Sequence, residues 1–569
     1  MKHPILLAFL VSVVLGLVIP HSLGALTSPP ADFTLTGELG GDEDSFGWSV
    51  APAGDVNGDT IPDLIVGAPS NDAIAGFAGR AYLFHGPFTG DRSASAADAI
   101  ISAEAFGDNL GISVASAGDV NSDGFGDLLI GARGQDAPGI QAGRIYLFHG
   151  PVSGHLSAPQ ADAMFSGSEF EELGGEVASG DLDGDGVSDL LLGGPRFGGG
   201  SDRGRTYVFY SPVIGQHFSS EADAIINGEF NDDNLGRAIA AGDINHDGID
   251  DLILGAPKFP LDFADPGRAY LFYGPIFGEM SAAAADVVFR GEANNDMFGT
   301  DVAAGDMNGD GLADIIVGAD QLFNDGAGKA YLFLAPFEST PILAANANGR
   351  LVGEVANDNF GHAVASAGDV NGDGKDEVLV GAWDSQAGAS RGGRAYLFFG
   401  PAAGLIPAGA ADLIMSGVIT GLRLGQSVAS AGDLNQNGRA DLLVGGPQFL
   451  EGEPGRAFIY LDHVVTTGIA GGAPPAAGGA LLAQNFPNPF GPRTVIEYRL
   501  DTSGRVRLAI YDVKGRKVRT LVNGAESAGA RTAAWDGRDD GGAPVARGTY
   551  FYRLESAGRD ETRRMVLIR

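Results

Sequence analysis

The sequence predicts an all-β protein: a seven-bladed β-propeller of four-stranded antiparallel blades, followed by a small C-terminal β-sandwich. Three observations predict it. An acidic nine-residue signature occurs seven times, starting at Asp55, Asp119, Asp181, Asp243, Asp306, Asp369 and Asp433, at spacings of 64, 62, 62, 63, 63 and 64 residues. So regular a period marks one supersecondary unit repeated, each burying its apolar face against its neighbours. Each period divides into four short extended runs. Near residue 485 the charge and the pattern both change.

In chain order, Met1-Lys2-His3 is a short basic start, Ile5 to Ile19 is almost unbroken apolar sequence, and Ser22-Leu23-Gly24 offers small residues for cleavage. Residues 1–24 therefore read as a secretory signal peptide. No other stretch is apolar and long enough to span a bilayer, so no transmembrane span is expected in the mature chain. Cysteine is absent, which removes disulfides, zinc–thiolate sites and thiol nucleophiles.

The propeller is expected over residues 31–462. In the second repeat, Ala97 to Ile101 is short and apolar, Glu104 to Asn109 is an acidic turn, and Ile112 to Ser116 alternates as a half-buried strand does. The acidic loop from Asp119 follows, then Leu128 to Ile130, a variable loop, and a fourth run from Gly143 to Phe148. Radial packing of such meanders gives a propeller, and seven blades lie within its usual range. The outer-strand segment first appears at Ala31 to Gly37, ahead of the first blade, and none follows Arg456 to Tyr460. Phe33 to Gly37 is thus expected to complete the seventh blade and remove two raw sheet edges.

The acidic loops point to calcium, which takes six to eight hard oxygens from a flexible cage. Side chains at positions 1, 3, 5 and 9 and a carbonyl at position 7 can supply them. The expected ligands are Asp55, Asn57, Asp59, Ile61 and Asp63 in the first loop; Asp119, Asn121, Asp123, Phe125 and Asp127 in the second; Asp181, Asp183, Asp185, Val187 and Asp189 in the third. The fourth offers Asp243, Asn245, Asp247, Ile249 and Asp251, and the fifth Asp306, Asn308, Asp310, Leu312 and Asp314. The sixth offers Asp369, Asn371, Asp373, Lys375 and Glu377, and the seventh Asp433, Asn435, Asn437, Arg439 and Asp441. Up to seven Ca²⁺ are expected. The third loop, with four carboxylates, should be tightest; the seventh, with two and Arg439 beside them, weakest. An EF-hand is excluded because position 12 of the first loop, Val66, falls inside a strand. Zinc lacks His or Cys ligands at the right spacing.

Here the repeats resemble the FG-GAP repeats of integrin α-subunit propellers. The resemblance rests on Phe46-Gly47, Phe298-Gly299 and Phe360-Gly361 with Gly67-Ala-Pro69 and Gly255-Ala-Pro257. Leu replaces Phe at Leu110, Leu173, Leu235 and Leu424, and the second motif becomes Gly131-Ala-Arg133, Gly318-Ala-Asp320 and Gly381-Ala-Trp383. These changes keep an apolar plug or a tight turn. FG-GAP repeats also accompany a phospholipase D family, whose catalytic domain has no counterpart in this sequence.

No convergent catalytic constellation stands out, so the protein is expected not to be an enzyme. His85 and His149 occupy one repeat position that is Tyr273 or Phe399 elsewhere, which suits strand-end packing. His246 lies in a cation loop, and His362 follows a Phe-Gly turn without a Ser partner. Meander geometry puts the cation loops on one face. The opposite face should collect variable loops with Phe197, Phe259, Phe323, Trp383 and Phe449, and acidic turns such as Asp42 to Asp44, Glu169 to Glu172 and Asn231 to Asp233. Aromatics among hydrogen-bonding groups suit protein or sugar recognition.

Residues 463–482 read as a flexible Gly/Ala/Pro linker. Residues 483–569 contain turn-separated strands and carry 16 basic against 10 acidic residues, in a chain whose net charge is −36. The acidic body does not suit nucleic acid or an anionic membrane. The segment resembles the C-terminal sorting domain of bacterial type IX secretion substrates, an FlgD-like Ig fold, through Gln484 to Phe490, the Tyr511-Asp-Val-Lys-Gly-Arg516 turn, Trp535-Asp-Gly537 and the basic end from Arg563. That resemblance implies export through the secretion machinery. The expectation is a monomeric, secreted or surface-attached bacterial adhesion or recognition module whose partner is an extracellular protein or glycan. A lectin-like glycan binder, or a hydrolase acting on phospholipid or polysaccharide, are the alternatives.

Overall fold

A computed structural model describes residues 29–38, 44–198, 202–257, 265–321, 326–337, 340–400, 402–448 and 453–461, and the strands and adjoining turns between 480 and 567. The signal segment 1–24, residues 463–479 of the linker and the 484–490 motif lie outside the described residues. So do Phe259, Phe323, Phe449 and Asp42-Glu43 of the predicted face. The chain divides into two compact units, residues 1–466 and 467–569.

The first unit contains seven sheets, one per signature. In the second blade, Leu110–Gly118, Asp127–Ala132, Arg144–Phe148 and Ala163–Ser166 pair antiparallel from the ring axis outward. The second strand of every blade is buried throughout, as at Asp63–Ala68 and Asp251–Ala256. Its unbroken apolar run follows from being covered on both faces by neighbouring sheets. The seventh blade is finished by the N-terminal strand Phe33–Thr36, with Phe33 opposite Ile459 and Thr36 opposite Arg456. This closes the ring as the sequence indicated.

The blades are not simply four-stranded. In six of the seven sheets a short fifth strand adds in parallel to the outer edge. Gly154–Ser157, from the link between the third and fourth strands of blade two, lies along Ala99–Ser102 of blade one. Each link thus laps back onto the preceding blade and covers an otherwise raw edge. Blade six has four strands because blade seven takes its outer strand from the N-terminal segment, so no such link returns to it.

The paired motifs set the spacing between blades. A Cβ on Gly67 would stand 1.9 Å from the carbonyl oxygen of Gly111, and the same clash recurs around the ring to Gly445 against Gly47 at 2.2 Å. Glycine is required where one blade's second strand meets the next blade's turn, which itself has positive φ (88° at Gly47). Beside that turn, Phe46, Leu110, Leu173, Leu235, Phe298, Phe360 and Leu424 are all buried. Phe46 meets Tyr82 edge-on at 5.4 Å, and Phe360 meets Tyr396 at 5.3 Å. Leucine fills the same hole with a smaller plug.

The second unit has a three-stranded sheet (Ala480–Leu482, Thr494–Leu500, Gly529–Trp535) and a four-stranded one (Lys517–Glu526, Gly504–Asp512, Gly548–Ser556, Arg559–Leu567). Its core includes Ile496, Leu508, Trp535, Tyr552 and Met565. Trp535 donates its indole N–H to the Arg538 carbonyl at 2.8 Å, which satisfies the polar end of a buried ring.

Candidate cation loops and the opposite face

Each signature forms a tight loop between the first and second strands of its blade, wound around its first carboxylate. In the third loop, Asp181 Oδ1 accepts the Gly184 and Asp185 amides at 2.8 and 3.1 Å, and Oδ2 accepts Gly186 at 2.8 Å. Asp183 Oδ1 accepts from Asp185, and Asp185 Oδ1 from Val187. The same pattern recurs at Asp55, Asp119, Asp243, Asp306, Asp369 and Asp433. Local side chain-to-backbone bonds of this kind are why Asp and Asn dominate such turns.

Position nine is different. Asp63, Asp127, Asp189, Asp251, Asp314, Glu377 and Asp441 are fully buried. One oxygen of each accepts the amide of position two, as from Val56, Leu182 and Leu434, all at 2.9 Å. In most blades the other accepts an amide from the third-to-fourth link, such as Gly86 or Gly150. Burial pushes Asp63 and Asp251 up to about 6, Asp189 and Asp314 to about 7, and Glu377 to about 8. Losing water is the main cause, and neighbouring loop carboxylates add to it.

These donors fit a hard divalent cation. Asp181, Asp183 and Asp189 bring carboxylate oxygens within 4.8 Å of one another, as do Asp369, Asp373 and Glu377. Among the described residues, only these two loops gather three carboxylates so closely. In every loop but the third asparagine stands at position three, and Asn121 donates to Asp123 at 2.9 Å. In the seventh, the Arg439 amide donates to Asn437 at 2.8 Å. All the donors are oxygens, as Ca²⁺ prefers.

The loops are also chained to one another. The position-eight amide of one loop donates to the position-one carbonyl of the loop before it: Gly126 to Asp55, Asp250 to Asp181, Ala313 to Asp243, Asp376 to Asp306 and Ala440 to Asp369, at 2.8 to 3.1 Å. A cation that stiffens one loop therefore braces its neighbour's backbone.

At the other end of the blades, variable loops meet the acidic turns. Phe170 donates to the Ile140 carbonyl at 2.9 Å, Gly107 to Gly76 at 3.2 Å and Gly134 to Asp108 at 3.1 Å. Two of the aromatics expected to face a partner are engaged internally. The Arg205 guanidinium lies 3.5 Å over the Phe197 ring, and Arg423 lies 4.6 Å over Trp383. His85 and His149 end their third strands, where their amides bond Asp98 and Asp162, and Tyr273 and Phe399 do the same on Asp286 and Asp412.

Sequence reasoning missed a non-repeating polar group around the ring axis on this face. His362 Nδ1 bonds the buried Asp320 carboxylate at 3.1 Å and its Nε2 contacts Gln426 at 3.0 Å. Asp301 accepts the Val364 amide of the next blade at 2.7 Å. Burial raises Asp301 to about 6 and Glu176 to about 8, the latter helped by the charge of Asp301, with Arg237 opposing both shifts. The signal that could have found them is departure from the repeat, because equivalent positions hold Ser49, Ser113, Ser427 and Ala238.

The FG-GAP repeat family matches residues 46–84, 110–148, 173–209, 235–272, 298–333, 360–398 and 424–460, and the FlgD Ig-like domain matches 493–560. Integrin alpha pat-2 of Caenorhabditis briggsae is 28% identical over 289 residues, 46% of this chain and 22% of that protein. Phosphatidylinositol-glycan-specific phospholipase D of Homo sapiens is 31% identical over 198 residues, 33% of this chain and 23% of the enzyme. The chain thus matches about a fifth of the length of these relatives. Among solved structures, PorZ of Porphyromonas gingivalis, a surface component of the type-IX secretion system, aligns over 89% of this chain and 58% of its own at 15% identity, with a TM-score of 0.34. That overlap is too loose to carry an argument.

Proposed function

For a chain built of seven FG-GAP repeats and one FlgD Ig-like domain, we propose an exported, calcium-stabilised recognition module that binds an extracellular partner without turnover. One observation carries the reading. Every signature loop joins the first and second strands of its blade, so the loops share one end of the ring and are bonded to their own scaffold, while the variable loops and the His362–Asp320–Gln426 group lie at the other. The first end has the character of a clamp, and the second varies as a binding face does. Ca²⁺ would be held by the loop oxygens named above, the third loop most tightly and the seventh least. The C-terminal unit would serve as the export address, because its Ig-like sandwich is separate from the ring's core.

Two measurements test this. Labelled full-length protein should bind saturably on a panel of extracellular proteins or a glycan array, with no product released from phosphatidylinositol-glycan or polysaccharide substrates. Turnover of either substrate would replace the reading with a hydrolase. Deleting residues 483–569 should leave the protein inside the cell envelope of its host, and unchanged export would remove the proposed role of that unit.

A further inference from the structure

The ring leaves one outer edge uncovered. In six sheets a fifth strand laps the outer strand, whereas among the described residues nothing pairs with the outer side of Leu413–Ser416 in blade six. The sister sheets show what that side requires. The carbonyl just ahead of the outer strand accepts the first amide of the fifth strand: Gly154 donates to Asp98, Gly215 to Asp162, Gly278 to Asp223 and Gly404 to Asn348, at 2.7 to 3.0 Å. Where the fifth strand is only two residues long, a side chain takes the amide of the outer strand's second residue. Asp91 accepts from Thr34 at 2.8 Å, and Thr340 from Val288 at 3.0 Å. The counterparts in blade six are the Asp412 carbonyl and the Ile414 amide, and neither meets a partner among the described residues.

Nor is this edge blunted. Open edges are usually guarded by lysine, proline, a bulge or an inward-pointing charge, but this one reads Leu413-Ile-Met-Ser416. Just past it, Val418 is 79% exposed at a position that holds glutamate in five other repeats, as at Glu104 and Glu354.

The ring's own fifth strands define what fits. Four of them are four residues long, begin with glycine and leave only the third side chain half-buried, at Leu156, His217, Met280 and Ile406. A buried small residue follows each, Ala158, Ser219, Ala282 or Ala408. All six links carry a proline three residues after the third strand, as at Pro87, Pro151 and Pro275. After Tyr460 that position is His463, so the chain does not repeat the link there. A second copy uses its six links within its own ring.

We propose that the outer edge of blade six is a docking site for an extended segment of a separate polypeptide. The segment adds as a parallel fifth strand with glycine first, an apolar residue third and alanine fifth. In strand addition the backbone bonds supply affinity, and pockets for alternate side chains supply selection. The site lies on the perimeter, apart from the variable-loop face, so its failure would leave that reading standing.

The test is amide hydrogen exchange of the full-length protein, read at Ile414 by mass spectrometry with fragmentation. The probe is the heptapeptide Gly-Glu-Met-Ser-Ala-Ala-Ala, a copy of residues 278–284; its control is the same peptide N-methylated at glycine and methionine. At ten times its Kd the probe should slow exchange about tenfold, and the control should not. Ile414→Pro removes the edge amide where proline is tolerated, and should abolish probe binding without lowering the melting temperature. Ile414→Lys keeps the amide, guards the edge with charge and should weaken binding even if the proline variant fails to fold. Unchanged exchange with the probe, or equal binding of the two peptides, would overturn the proposal. So would an Ile414 amide already protected in the free protein, which would mean that its own chain covers the edge. Protection that grows with protein concentration would place a second copy there and would overturn it equally.

Discussion

Chelation should lower the melting temperature of the propeller by a calculable amount. Six of the seven loops offer at least three carboxylates, all except the loop from Asp433. A ligand that binds only the folded form adds about 2.7 kcal/mol per site at a hundred times its Kd. Unfolding entropy of about 2.1 cal/mol/K per residue gives roughly 0.9 kcal/mol/K for a ring of this length, or about 3 °C per site. Saturating six sites should therefore raise the melting temperature by about 18 °C, read by scanning calorimetry in excess Ca²⁺ and in EDTA. Asp185→Ala isolates one site, because Asp185 is exposed and the bond its side chain accepts in the loop, from the Val187 amide at 2.8 Å, has a counterpart at Asn437. Asp185→Ala should cost about 3 °C in calcium and under about 1 °C in EDTA, whereas Asn437→Ala should cost under about 1 °C in both. Asp441 is a poorer comparison, since its loss would orphan the buried Leu434 amide. Identical melting in calcium and EDTA, or an Asp185→Ala deficit equally large in both, would refute the reasoning.

Four further outcomes are expected. In EDTA, the folded state holds protons on Asp189 and Asp314, raised to about 7, that the unfolded chain releases near pH 4. Stability of the chelated protein should fall as pH rises from about 4 to 7, by up to about 4 kcal/mol for Asp189 alone. In calcium the sign reverses, because acid displaces the cation, and a pH series of melts in both conditions separates the two. Gly67→Ala should destabilise by several kcal/mol, since its Cβ would stand 1.9 Å from the Gly111 carbonyl oxygen, and urea titration would show it. Deleting residues 31–37 should leave the edge of Arg456–Tyr460 unpaired and promote association, seen by light scattering. Phe46→Ala removes a fully buried ring packed on Tyr82 and Phe84 and should cost about 3–5 kcal/mol by the same titration.

The ring was legible because its determinants are local and recur. The signature, the apolar second strand and the two glycine turns appear in every period, and the unpaired Phe33–Thr36 segment could only belong to the last blade. The fifth strands were not legible. Gly154–Ser157 and Gly278–Ser281 are short, mostly exposed and without alternation, and what places them is backbone pairing, with Gly154 donating to the Asp98 carbonyl at 2.7 Å. The loop carboxylates were found by type and spacing, but the division of labour was not. Nothing in the spacing says that position nine is buried and bonded to two backbone segments while position five faces solvent. Glu176, Arg237 and Asp301 were missed because each sits where other repeats carry Ser, Ala or another ordinary residue. Their meaning comes from meeting at the ring axis, which only the closed topology arranges.

The most direct measurement is the metal content of the full-length protein after equilibrium dialysis against calcium, read by mass spectrometry of the digested sample. Six to seven Ca²⁺ per chain, falling by one in Asp185→Ala, is the result expected from seven oxygen-lined loops. A chain that retains none, or one that binds calcium with Asp185→Ala unchanged, would contradict the claim that these loops are cation clamps.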